Sequence, residues 1–191
     1  YPDLKINLML EERVLDLPMR EADVAIRMKE PSQSDLIRRR LLSVRMRLYA
    51  TQEYLDKAGV PETMADLSPY RLICQRPDQP QVAAGARLVQ EIMAQNIGST
   101  LTVNNYFGVL QAVLANLGIG VLPDYLTADH KRLVRVLPNI ESGEVPVFLA
   151  YPEELRQTRR VAVFRDFVLE EIQAFRRRQS EALLQEAVGS D

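Results

Sequence analysis

Residues 100–126, TLTVNNYFGVLQAVLANLGIGVLPDYL, constrain the fold more than any other stretch, because they read as a complete strand, helix, turn, strand unit. Leu101 and Val103 alternate with Thr100 and Thr102 as in a half-buried strand, and Asn104 and Asn105 then stand where a helix N-cap is wanted. Phe107, Leu110, Val113, Leu114 and Leu117 follow at helical spacing, which predicts one face packed on a sheet. Gly118 is expected to stop that helix, and residues 119–122 form a short apolar strand closed by Pro123. In such a βαβ unit the end of the first strand and the free N–H groups of the helix point into one crevice, where a small anionic ligand can be held. The other reading is that the asparagines do no more than cap the helix.

The rest of the chain must supply the sheet. Residues 5–10, KINLML, read as a strand, residues 14–19 as a helical stretch with Val14, Leu17 and Met19 apolar, and residues 22–27, ADVAIR, as the next strand. That order predicts parallel pairing and an α/β class, with loops at Glu11 and at Arg27-Met28-Lys29 on one edge. From Leu36 the chain alternates, with Leu42, Val44, Met46 and Leu48 facing one way, as in a long strand. Thr51 caps a helix that Gly59 ends; a strand over 72–75, a loop over 76–80 and a helix over 83–96 broken by Gly98 lead back to the opening stretch. Beyond it come a strand over 133–137, a turn-rich link over 138–144 and the apolar strand VPVFLAY over 145–151. An amphipathic helix over 160–175 follows, with Phe164, Phe167, Val168, Ile172 and Phe175 on one face, after which residues 179–191 fray.

Chemistry is harder to find. Arg27, at the end of its strand, has a guanidinium that could hold a carboxylate bidentately, or it forms a surface ion pair with Glu30 or Asp23. Five arginines, Arg38, Arg39, Arg40, Arg45 and Arg47, crowd one strand, but no aromatic platform is interleaved for bases to stack upon, which favours a charged, solvated strand edge. Residues 1–47 carry 10 basic and 8 acidic side chains, 48–144 carry 7 and 10, and 145–191 carry 7 and 8, so no part is basic enough to grip nucleic acid by itself. There is no nucleophile elbow, glycine-rich phosphate loop or paired-cysteine cluster, and the single histidine, His130, has no carboxylate at ligand spacing. No catalytic residue, no metal site and no cofactor are expected, and the chain reads as a binder and not an enzyme.

At 191 residues and 47% hydrophobic composition the chain suffices for one domain or two small lobes. No apolar run reaches membrane-spanning length and nothing at Tyr1 resembles a secretory leader, so no membrane partner is expected. The one cysteine, Cys74, precludes an internal disulfide and suits a reducing cytoplasm; it is expected to be buried in its strand.

The ordered segments YPDLKINLML, ADVAIR, LYATQEYLDKAGVP, VLQAVLANLGIGVLPDYL, LVRVLP and FLAYPEELRQTRRVAVFRDFV resemble the effector-binding (substrate-binding) domain of LysR-type transcriptional regulators, over residues 1–175. The GIGVLP turn and the spacing from AYP to RVAVF are its most telling parts. The resemblance implies a type II periplasmic-binding-protein-like fold, two Rossmann-like α/β lobes joined by two crossover strands, with a small effector between them. The apolar strands at 42–50 and 145–151 fall where such crossovers belong. Lobe I would be residues 1–47 and 148–191, and lobe II residues 48–147.

Matched to the family's cleft loops, Glu11, Arg27 and Met28 would line lobe I, and Asn104, Asn105 and Tyr106 lobe II. The first strand and helix of the family's domain and its DNA-binding winged helix-turn-helix have no counterpart here. Gln75-Arg76-Pro77 stands where the family commonly has an aromatic residue. The implied protein is a cytoplasmic homodimer or homotetramer that binds a carboxylate or other anion and, through an N-terminal domain absent from this chain, DNA. The alternative is an exported solute-binding protein of a transporter.

Overall fold

The computed structural model describes residues 1, 3–10, 15–28, 30–31, 33–75, 83–95 and 99–188, with residues 83–85 and 179–188 described by backbone alone. The expectations placed on Glu11, Val14, Lys29, Gly98 and the loop at 76–80 lie outside these residues. The chain divides into two compact units, one comprising Tyr1–Asn7, Leu15–Leu42 and Val147–Asp191, the other Leu8–Val14 and Ser43–Pro146. Two of the passages between them, at 42/43 and 146/147, fall inside strands.

The second unit holds a five-stranded sheet built from β3 (Met46–Thr51), β4 (Arg71–Gln75), β5 (Ser99–Val103), β6 (Ile119–Pro123) and β7 (Leu133–Glu141), in the order β5-β4-β6-β3-β7. β4 is parallel to β5, with Arg71 opposite Ser99, and to β6, with Leu72 opposite Ile119; β3 is antiparallel to β6 and β7. The helix α3 (Tyr106–Leu114) crosses from β5 to β6 and buries Val109, Leu110 and Val113 against Tyr49, Ile73 and Leu122. Each fully buried aliphatic side chain in that cluster stabilises the unit by roughly 1.5–3 kcal/mol.

The expected helix face is shifted. Residues 106, 109, 110 and 113 form the inward stripe, which leaves Phe107 53% exposed and Leu117 beyond the helix end. The stop is Asn116, whose positive φ of 62° breaks the helix two residues before Gly118. Gly118 is needed for a different reason: a Cβ there would lie 2.3 Å from the Arg71 carbonyl oxygen. β7 is longer than expected, because the supposed turn after Leu137 is a bulge: Leu48 pairs with Val136 and Arg47 with Glu141, with Leu137 at φ 49°.

α1 (Gln52–Ala58) shows how local sequence sets a boundary. The Thr51 hydroxyl accepts from the Tyr54 N–H at 3.2 Å, and Gly59, at φ 87°, closes the helix with its N–H on the Leu55 carbonyl. Thr51 also donates to the Asn116 side chain, which in turn donates to Glu53 at 2.8 Å, so one buried hydroxyl joins α1 to the end of α3. Thr51→Ala is therefore expected to cost about 1–2 kcal/mol in urea denaturation, and a loss under about 0.3 kcal/mol would show that the cap is dispensable.

The first unit has a three-stranded sheet of β1 (Ala25–Arg27), β8 (Val145–Pro152) and β2 (Leu36–Val44), in the order β1-β8-β2. β1 runs antiparallel to β8, with Arg27 opposite Phe148, so the parallel pairing expected from strand, helix, strand is not found. Neither of its premises holds. Residues 5–10 are described without strand pairing, and residues 17–20 are a turn: Asp16 accepts from the Met19 N–H at 3.2 Å, Pro18 disfavours a helical Leu17, and Arg20 sits at φ 61°. α2 (Ala83–Met93) belongs to the second unit. α4 (Arg159–Val188) belongs to the first and runs past the expected end at 175; it buries Val161 and Val168, exposes Phe167, and holds β2 through a hydrogen bond from Arg176 to the Leu41 carbonyl. No helix among the described residues is long and apolar enough to cross a membrane.

Candidate functional site

In the second unit, parallel strands β4 and β5 end side by side and α3 begins beside them. Asn105 is the N-cap, its Oδ1 accepting from the Gly108 N–H at 2.8 Å while its Nδ2 donates to Asn104 Oδ1 at 3.0 Å. Gln75 Nε2 donates to the Asn104 carbonyl at 3.0 Å, leaving Gln75 Oε1 buried with no partner among the described residues. Helix geometry leaves the amides of Tyr106 and Phe107 outside the helical ladder at this end. Gly108 lets the first turn lie close on β5, since a Cβ there would meet Val103 Cγ1 at 2.4 Å.

Two groups beside this end, Cys74 and the phenol of Tyr106, are shielded from water. Burial pushes the Cys74 thiol up to about 11, and burial, reinforced by Tyr125 and Cys74, pushes the Tyr106 phenol well above its ordinary range. Neither group ionises near neutrality, so what the end offers a ligand is neutral hydrogen bonding and the positive pole of a helix. Asn104, Asn105 and Tyr106 thus stand at this helix start, and Gln75 joins them through its bond to the Asn104 carbonyl. Gln75 stands at the carboxyl end of a parallel strand, which is the signal that could have flagged it.

In the first unit Arg27 ends β1 but is no surface residue: it is 8% exposed, and its guanidinium donates to the Leu15 carbonyl at 2.5 Å. Both ion-pair partners considered from sequence are engaged elsewhere, Asp23 with Arg160 at 2.9 Å and Glu30 with Arg38 at 3.4 Å. Burial lowers the Arg27 pKa and nearby Asp16 opposes that shift. Met28 follows it, half-buried, and Glu11 lies outside the described residues.

The arginine-rich strand divides in two. Arg38, Arg39 and Arg40 sit exposed on β2, an edge of its sheet, but β3 is an interior strand. Arg45, Arg47 and Arg135 converge there on Glu141, with Arg47 Nε at 2.9 Å and Arg135 at 3.0 Å. Burial alone would raise the Glu141 pKa, but the hydrogen bonds from Arg47 and Arg45 outweigh it and hold the carboxyl below its ordinary range. Its contribution to stability is present where glutamate is ordinarily ionised and fades as pH falls through the depressed value. The bulge that brings Glu141 to Arg47 has no signature in the order of residues.

The comparisons agree with this geometry. The family model for the LysR substrate binding domain matches residues 1–173. Among characterised relatives, the HTH-type transcriptional regulator CrgA of Neisseria meningitidis serogroup C is 28% identical over 177 residues, covering 90% of this chain and 58% of that protein. PtxR of Pseudomonas aeruginosa is 29% identical over 192 residues, covering 95% and 60%. The chain spans little more than half the length of the curated relatives it matches. Among solved structures, the CrgA regulatory domain superposes with a TM-score of 0.74 at 25% identity, covering 90% of this chain and 86% of that one. The full-length virulence activator AphB of Vibrio cholerae, at 24% identity and a TM-score of 0.64 over 89% and 59%, shares the fold. That fold is type II periplasmic-binding-protein-like, two α/β lobes joined by two crossover strands. With the match running through every described element of both units as far as residue 173 of α4, the chain belongs to the LysR substrate binding domain family.

Proposed function

We propose that this chain is the effector-sensing regulatory portion of a bacterial LysR-type transcription regulator, and that it binds a small anionic molecule, a carboxylate above all. The observation that carries the reading is the family match over residues 1–173, in a chain whose second unit aims a capped helix start at the ends of two parallel strands. The proposed effector contacts are Asn104, Asn105 and Tyr106 in the second unit, Arg27 and Met28 in the first, and Glu11. An effector that binds one arrangement of the lobes better than another shifts the population between them, and in a homodimer or homotetramer this re-spaces DNA-binding domains supplied by the rest of the protein. The protein works in the cytoplasm, where its DNA is, and performs no chemistry on the effector. A transporter's solute-binding protein is not favoured, since the relatives are transcription regulators.

Arg27 has a defined part in this proposal. A guanidinium carries five N–H donors, so holding the Leu15 carbonyl leaves capacity for a carboxylate. The test is a thermal-shift screen of small organic acids followed by calorimetry on the best ligand. Arg27→Ala is expected to weaken that ligand by roughly 1.5–3 kcal/mol, the range for a charge-assisted hydrogen bond. Unchanged affinity would remove Arg27 from the binding site and leave it as the tether of residue 15, whereas a screen in which no anion raises the melting temperature would overturn the anionic effector itself.

A further inference from the structure

Next to the strand passages at 42/43 and 146/147, on the side of the second unit, the outgoing and returning chain are fastened together. Arg45 is the single residue between β2 and β3, and residues 142–144 link β7 to β8. The Ser142 N–H donates to the Met46 carbonyl at 2.9 Å, and the Ser142 hydroxyl accepts from the Met46 N–H at 2.9 Å. Beside this pair Glu141 accepts from Arg45, Arg47 and Arg135, and Glu144 lies 3.6 Å from Arg45. A third segment joins in, for the Asp124 N–H donates to the Arg45 carbonyl at 3.0 Å and its carboxylate lies 3.9 Å from Arg47. Three cations and three anions thus meet where residues nearly a hundred apart in sequence come together. At the passage itself Pro146, the last residue of the second unit there, has no N–H to give to a ladder.

We propose that this knot is a hinge clamp: it makes residues 45–47 and 141–142 one body with the end of β6, so that bending between the units is confined to residues 42–44 and 145–147. The bonds that must hold during such bending are the shared Glu141 acceptor and the two Ser142–Met46 hydrogen bonds, all inside the second unit. Glu141 is a positioning residue in this scheme. It keeps the guanidiniums of both strands in register without touching an effector.

Hydrogen exchange on the whole chain tests the clamp. Glu141→Gln, which preserves volume, is expected to speed exchange at the Met46 and Ser142 amides about tenfold while β4 and β5 stay within about twofold of the parent. Ser142→Ala, which removes only the hydroxyl, should speed Met46 in the same way. A second readout is the distance distribution between spin labels at exposed Lys131 and Glu170, one in each unit, which should broaden about twofold in Glu141→Gln. Cys74 is buried and stays unlabelled. Unchanged exchange at Met46 and Ser142, acceleration spread evenly over the whole sheet, or an unchanged label distribution would each overturn the clamp.

Discussion

Leu122→Ala is expected to lower the free energy of unfolding by about 3–4 kcal/mol, read as a fall in urea midpoint at constant slope. Leu122 is wholly buried on β6, among Tyr49, Ile73, Val109, Leu110 and Val113. Its neighbours come from β3, β4 and α3, elements that are themselves hydrogen-bonded or helical, so the site cannot collapse to fill the space left behind. The cost is therefore both the lost transfer of the isobutyl group from water and the cavity. A loss under about 1 kcal/mol would mean that α3 does not pack on the sheet as described.

Gly118→Ala comes next, at about 3 kcal/mol, through overpacking instead of a cavity. The new methyl would lie 2.3 Å from the carbonyl oxygen of Arg71 and 3.1 Å from its carbonyl carbon, and neither can rotate away because β4 is paired on both sides at that end. Relief requires moving the start of β6 off β4. Gly143 provides the control, since nothing lies within 4 Å of a Cβ there, and Gly143→Ala should change stability by less than about 0.5 kcal/mol. Equal effects at the two glycines would show that chain entropy, not close approach, governs Gly118.

Together these predictions mark where pattern reading worked. The interior of the second unit follows from apolar spacing and turn chemistry: Thr51 and Gly59 bound α1, Asn105 opens α3, and Pro123 closes β6, each through a hydrogen bond or backbone angle within a few residues of itself. The helix start proposed as an effector contact was legible for the same reason. What failed were inferences about partners and about which of several apolar residues a helix turns inward. Phe107 fits the period as well as Tyr106 does, and only the position of β5 and β6 under α3 selects the stripe that includes 106.

The first unit was harder because the strand that carries Arg27 is short and its partner distant. β1 has three residues, and its partner β8 lies more than a hundred residues away, so nothing near Arg27 announces an antiparallel ladder or the carbonyl of Leu15 waiting for its guanidinium. Likewise Arg45 and Arg47 alternate as an exposed edge would, and their pairing with Glu141 depends on a bulge opposite them in β7.

By itself the sequence determined the class of fold, both caps of α1, the start of α3 and the family to which the chain belongs, because these rest on spacing and on interactions closed within one or two turns of chain. Tertiary structure alone decided which strand pairs with which, which arginines are spent inside the molecule and where the Glu141 knot forms. Those outcomes are set by contacts between residues far apart along the chain, whose geometry exists only once the sheets have assembled.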